Sequence, residues 1–108
     1  MTELPNLLYI ESLAGDDNQF RTKLINVIQK EFPEEKRLYH SMRQENYLKE
    51  TAEIVHKLKH KISILGLEKG YFIAEKYENS LKILTPDNNL QVEFETLLKR
   101  IEDFIVEL

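Results

Sequence analysis

The residues able to do chemistry in this chain concentrate in one segment, Thr51-Ala52-Glu53-Ile54-Val55-His56-Lys57-Leu58-Lys59-His60-Lys61-Ile62-Ser63-Ile64-Leu65-Gly66-Leu67. It holds two of the three histidines. Neutral imidazole is a good nitrogen nucleophile near pH 7 and a common metal ligand. Between Lys49 and Lys61, four lysines accompany two glutamates, a local charge of +2 in a chain of formal net charge −4. One basic patch therefore surrounds a histidine on an otherwise acidic protein.

Apolar residues in this segment recur at helical spacing: Leu48, Ala52, Val55, Leu58, Ile62 and Leu65. With Val55 at the centre of that stripe and 100° per residue, Lys59 falls at about 40°, Ser63 at about 80° and His56 at about 100°. His60 comes at about 140° and Ile64 at about 180°. His56 thus belongs at the solvent boundary, its base held by packing and its ring open to approach. Lys59, at i+3, is close enough to meet a group attached to that ring. Ile64 is apolar on an outward face, which hints at a docking surface. In the next periodic segment, with Ala74 at the centre, Glu78 falls at about 40° and Lys82 at about 80°. A neighbouring antiparallel helix can present both to His56. A carboxylate on the far ring nitrogen would fix the tautomer and raise basicity, and Glu78 is the candidate orienter.

Other chemistries are mostly excluded. There is no Gly-rich phosphate loop, so no ATP site, and no GxSxG elbow or HExxH pair. The absence of cysteine removes disulfides, thiolate zinc sites and thiol catalysis. His56 and His60 can chelate a divalent ion, but bundle metal sites recruit ligands from facing helices, and His40 lies on a different helix. No metal and no cofactor are expected. An acidic chain with pI near 5.4 is a poor nucleic-acid binder. No stretch approaches the 18 or so apolar residues of a membrane span, and the first residues lack a signal peptide's basic and apolar regions. A cytoplasmic protein is expected.

The elements that must position these residues are helical. A hydrophobic fraction of 42% supplies one core, and 108 residues make one domain, 1–108. Glycine and proline, three each, punctuate long runs of Leu, Ile, Lys and Glu. A short first helix is expected over 5–13, started by Pro5, with Leu8 and Leu13 packing. A second follows Asp16 or Asp17 as N-cap, with Phe20, Leu24, Val27, Ile28, Phe32, Leu38 and Met42 inward. Its stripe keeps phase across Pro33, so a kinked continuous helix or two nearly end to end is expected. The third spans 47–65 and stops at Gly66. The fourth spans 68–84, with Tyr71, Ala74, Tyr77, Leu81 and Leu84 inward. The fifth runs from Asn89 to the end, although LQVEFE alternates briefly like a strand. All five phenylalanines are expected in the core. Short connections make neighbours antiparallel, giving an all-α fold: an up-down antiparallel four-helix bundle with a short N-terminal capping helix.

The string Val55-His56-Lys57-Leu58-Lys59, with Gly66 ten residues after the histidine, resembles the histidine-containing phosphotransfer (HPt) domain family. The family pattern is roughly Ala-His-x-Leu-Lys-Gly, five residues, then Gly, and the expected helix order matches along most of the chain. The resemblance implies a phosphoryl carrier in a multistep two-component phosphorelay rather than a turnover enzyme. His56 would accept a phosphoryl group from the aspartyl phosphate of a receiver domain and pass it to another receiver. Lys59 would stabilise the phosphate, and Glu78 would orient the ring. Lys57, Ser63, Ile64 and Gly66 would belong to the receiver-docking face. Mg²⁺ would sit on the receiver alone. Partners would be response-regulator receivers or a hybrid histidine kinase, met by a monomer.

One departure stands out. The family usually has glycine or another small residue four positions after the histidine, and this chain has His60. An imidazole there fills room the receiver would use. It restricts which receivers dock, or it adds a hydrogen-bond donor to the phosphoryl group, so His60 is a candidate modulator. The alternative function is a non-phosphorylated HPt-like bundle that docks receivers without transfer.

Overall fold

The computed structural model describes residues 3–108. It contains α1 (Leu8–Ala14), α2 (Asn18–Gln44), α3 (Leu48–Ile64), α4 (Glu68–Lys82) and α5 (Asn88–Ile105). Among the described residues there is no strand. The brief alternation of LQVEFE is overridden by Phe94, Leu97, Leu98 and Ile101, which bury one face of α5 at helical spacing. Helix α3 packs on α2 and α4, α4 also meets α5, α5 meets α2, and α1 lies on α2. At about 1.5 Å per residue, the 27 residues of α2 span about 40 Å, which accounts for most of the longest dimension of 45 Å.

Helix α2 is continuous through Pro33. The proline removes one amide donor, yet Phe32 and Tyr39 on either side are fully buried and hold the helix in phase. Asp17 is its N-cap, accepting from the Phe20 amide at 3.0 Å. Asp87 does the same for α5, accepting from the Leu90 amide at 3.0 Å.

Several inward assignments need correction. Phe20, Val27 and Phe72 are exposed. The buried line of α2 runs through Ile25, Ile28, Phe32 and Tyr39. Phe20 stands about 80–140° from each of these, off the face the other helices cover. Phe72 lies about 140–180° from Ala74, Tyr77 and Leu81, on the far side of α4. In α1 the buried residues are Ile10 and Ala14, four apart, while Leu8 and Leu13 are exposed. That helix begins after Pro5 because the preceding segment is held by tertiary bonds. The Asn6 amide donates to the Leu65 carbonyl at 2.9 Å. The Glu3 carboxylate accepts from the Lys69 and Gly70 amides, both at 3.0 Å, and caps α4 from a distant part of the chain.

Three helices end in the same way. After α2, α3 and α4, residues Asn46, Gly66 and Leu84 adopt positive φ of 61°, 79° and 62°. In each case that residue's amide and the next one bond back to the last turn: Asn46 to Arg43 and Tyr47 to Met42, Gly66 to Ser63 and Leu67 to Ile62, Leu84 to Leu81 and Thr85 to Ser80. These are Schellman closures. Glycine and asparagine accept this geometry readily, and leucine does not. Leu84, expected inward on an α4 reaching residue 84, instead terminates the helix and is exposed.

Urea denaturation should therefore find Leu84→Gly more stable than the wild type by about 0.5–1 kcal/mol, the relief of left-handed strain less glycine's greater unfolded-state entropy. Gly66→Ala should lose about 1–2 kcal/mol, because a Cβ there meets the Asn6 side chain at 2.5 Å as well as the strained φ. A destabilised Leu84→Gly would show that its side chain packs usefully in spite of its exposure.

Candidate functional site

The turn at Gly66 folds α4 back along α3. His56 lies ten residues before that glycine and Glu78 twelve after it, so the two meet across the hairpin. The Glu78 carboxylate is almost wholly buried, with 3% of its side chain exposed. Three groups surround it. The Lys59 ammonium donates to Oε1 at 3.0 Å. The Lys82 ammonium donates to Oε2 at 2.8 Å. His56 Nδ1 lies 3.1 Å from Oε2 and 3.3 Å from Oε1. Burial pushes the Glu78 carboxyl up, but Lys82, Lys59 and His56 outweigh it and hold Glu78 below the usual carboxylate range. Glu78 is therefore ionised at neutral pH.

An ionised carboxylate only accepts hydrogen bonds, so His56 Nδ1 carries the proton that faces it. In the neutral ring Nε2 then keeps its lone pair. Half of the His56 side chain is exposed. The arrangement presents one bare nitrogen at the surface and anchors the other on buried charge. That nitrogen has a close neighbour: His60 Nε2 lies 3.2 Å from His56 Nε2.

Lys59 sits deeper than a surface lysine. Its side chain is 8% exposed, bound to Glu78, with the ammonium 5.4 Å from the centre of the Tyr71 ring. Its charge thus lies on the Nδ1 side of His56, matched by Glu78 and by a cation–π contact. Lys61 is also neutralised, held at 3.0 Å by Glu31 and by Glu35. The basic patch read from the sequence is correspondingly smaller. A shallow groove beside His56 is lined by Lys49, Ala52, Glu53, Lys57, Glu78 and Lys82. Ala52, one turn before His56 and buried, leaves the groove open where a larger side chain would fill it.

The docking candidates divide. Lys57 is exposed and lines the His56 groove. Ser63 lines a different groove with Glu68, Tyr71 and Phe72. Ile64 is half-buried and packs against the core, so its side chain is less outward than the wheel placed it. Gly66 is held by its positive φ and by Asn6. Glu53 and Tyr71 join the site although no motif in the sequence points to them. Lys49 and Glu53 stand at i−7 and i−3 from His56, on the same helical face, and Tyr71 lies two turns before Glu78. Among the described residues, no three His, Asp or Glu side chains converge as a metal site would need. No helix of the described residues is long and apolar enough to cross a membrane.

Comparison of the chain with protein-family models, with curated proteins and with solved structures finds no match to any of them.

The Glu78 knot has a sign-definite pH signature. Its folded-state pKa lies below the unfolded value, so its contribution to stability is full above about pH 4.5 and is lost as pH falls through the folded value. Glu78→Gln, which keeps one acceptor oxygen but sets an NH2 donor against the remaining donors, should cost about 1–3 kcal/mol at pH 7. Glu78→Leu, which strands the buried Lys59 ammonium, should cost about 3–5 kcal/mol. Both variants should show a flatter loss of stability between about pH 5 and pH 3 than the wild type. Denaturation midpoints across that range check this, and an unchanged acid limb in Glu78→Gln would remove Glu78 as its source.

Proposed function

We propose that the chain is a phosphoryl-carrying module of the HPt type: α2 to α5 form an up-down antiparallel four-helix bundle, α1 caps it, and His56 is the phospho-acceptor. The observation that carries this reading is the half-exposed imidazole whose inner nitrogen rests on a buried, ionised carboxylate. Such a ring is fixed in one tautomer with its nucleophilic nitrogen outward.

The transfer balances as follows. The lone pair of His56 Nε2 attacks the phosphorus of a receiver domain's aspartyl phosphate. The bond from phosphorus to the aspartyl oxygen breaks, and the carboxylate leaves with the electron pair. An N–P bond forms and the ring becomes cationic. Its Nδ1 proton stays in place, and Glu78 stabilises the new positive charge. The reverse step, onto the aspartate of a second receiver, returns the neutral ring. Phosphoryl transfer asks the protein chiefly for positioning and charge stabilisation. Glu78 supplies the first, and Lys57 and Lys82, on the groove beside the ring, supply the second. Lys59 acts through Glu78, keeping it ionised. Mg²⁺ would come with the receiver, in keeping with a carrier that consumes no ATP. The module would work in the cytoplasm as a monomer docking one receiver, or a hybrid histidine kinase, at a time, with no role for nucleic acid.

A second reading follows from His60, which occupies the space beside His56 Nε2: a bundle that docks receivers without accepting a phosphoryl group.

A transfer assay with a phosphorylated receiver separates the two. Wild type should acquire acid-labile, alkali-stable label. His56→Gln should acquire none, and His60→Gln should still be labelled. Receiver binding by wild type with no label across several receivers would favour the docking bundle. Label that survives in His56→Gln would move the acceptor elsewhere.

A further inference from the structure

His60 stands one helical turn beyond His56 and is exposed. The two rings meet edge to face, with centroids 4.7 Å apart and planes at 90°. Their Nε2 atoms are 3.2 Å apart. Two bare ring nitrogens at that separation would repel, so one must carry a proton. His56 Nδ1–H donates to Glu78, so Nε2 of the neutral His56 ring has no proton. The proton between the rings therefore belongs to His60, and its Nε2–H points at the lone pair of His56. Among the described residues His60 makes no other hydrogen bond, so this contact alone holds its ring.

We propose that His60 is a brake on His56: its Nε2–H covers the acceptor nitrogen, and phosphoryl transfer requires that hydrogen bond to break and the exposed ring to turn aside. The inference rests on His56 being the acceptor. It gives the bulky residue at this position a definite act. A lone pair engaged as a hydrogen-bond acceptor is a weaker nucleophile, and the phosphorus must enter the volume that the His60 N–H occupies. A docking partner that drew His60 away would release the nucleophile only within the complex, which would limit transfer to the receivers that make that contact.

The test avoids docking by using a small donor, phosphoramidate. The donor's P–N bond breaks, ammonia leaves with the electron pair, and the N–P bond forms from the His56 lone pair. His60→Ala should label about five- to tenfold faster than wild type, the rate equivalent of one modest hydrogen bond. His60→Gln, whose amide can still donate, should fall between them. In parallel, ¹⁵N NMR of the imidazoles should show His56 as the Nδ1–H tautomer and His60 as the Nε2–H tautomer. The His56 Nε2 resonance should move toward that of an unbonded nitrogen in His60→Ala, a change that lost helix stability would not produce. Equal or slower labelling of folded His60→Ala, or an unmoved Nε2 resonance, overturns the brake alone. No label on any variant overturns the acceptor reading and the brake with it.

Discussion

A carboxylate withdrawn from water must be matched by positive charge or by donors, and the Glu78 carboxylate constrains this molecule more than any other group. Three donors converge on it from two helices. Two of them, Lys59 and His56, come from α3, and Lys82 comes from α4 itself. The α3–α4 register is therefore fixed by charge as well as by packing. A slip of one residue along either helix would turn side chains by about 100° and leave a buried anion facing apolar neighbours. The hairpin is tied at its closed end by Gly66, by the Asn6 bond to Leu65 and by Glu3 on the first turn of α4. Gly70 lets α4 approach its neighbours there, since a Cβ at that position would meet Leu97 at 3.0 Å and Ile62 at 3.2 Å.

A second polar group lies deeper and serves a different purpose. The Tyr39 hydroxyl bonds to the Tyr77 hydroxyl at 2.7 Å and to Glu95 at 2.8 Å. It joins α2, α4 and α5 inside the core, with the Phe94 ring packed against both tyrosines. Burial pushes the Tyr39 hydroxyl well above the usual tyrosine range and raises that of Tyr77, so both stay neutral. The two clusters share α4, since Tyr77 and Glu78 are consecutive. One residue points into the core and the next toward α3. Helix α4 is thereby pinned in rotation by two specific sets of polar partners, a stricter condition than an apolar stripe imposes.

Much of this was legible in the sequence, and the particular failures are instructive. Five helices follow from periodicity and from a few turn residues. The His56–Glu78 pairing follows from wheel angles on adjacent helices. The burial of Lys59 was also implicit: at about 40° from the stripe centre it lies further inward than His56, and Glu78 occupies the same angle on α4. Two opposite charges so placed on neighbouring helices must meet. Phe20 keeps helical spacing with Leu24 and Val27, but the face that the other helices cover is centred on Ile28 and Phe32 instead. Phe72 is aromatic, yet its angle sets it opposite the buried stripe of α4. Leu84 was misplaced because the fourth apolar stripe continues through it, whereas the chain closes a Schellman turn there. The Glu3 cap and the Tyr39–Glu95 bond join residues 56 or more positions apart, and no local pattern announces such partners.

The site's resting charges also explain how a phosphoryl dianion could be received without a dedicated anion pocket. Lys82 is bound to Glu78, yet more than half of its side chain is exposed. Long ammonium side chains exchange partners at little cost when one end remains in water. Lys57 and Lys49 are exposed beside the same groove. A dianion arriving at His56 Nε2 would draw on these mobile cations, while the buried Lys59 stays on Glu78 and keeps the ring oriented. The partition follows from burial alone. In the proposed carrier, the fixed cation would hold the tautomer and the exposed ones would answer the charge brought by the phosphoryl group. Such a division would suit the proposed carrier, whose site must accept a phosphoryl dianion beside a ring turned cationic, one net negative charge in all, and later release it without unfolding the pair of helices that hold the ring.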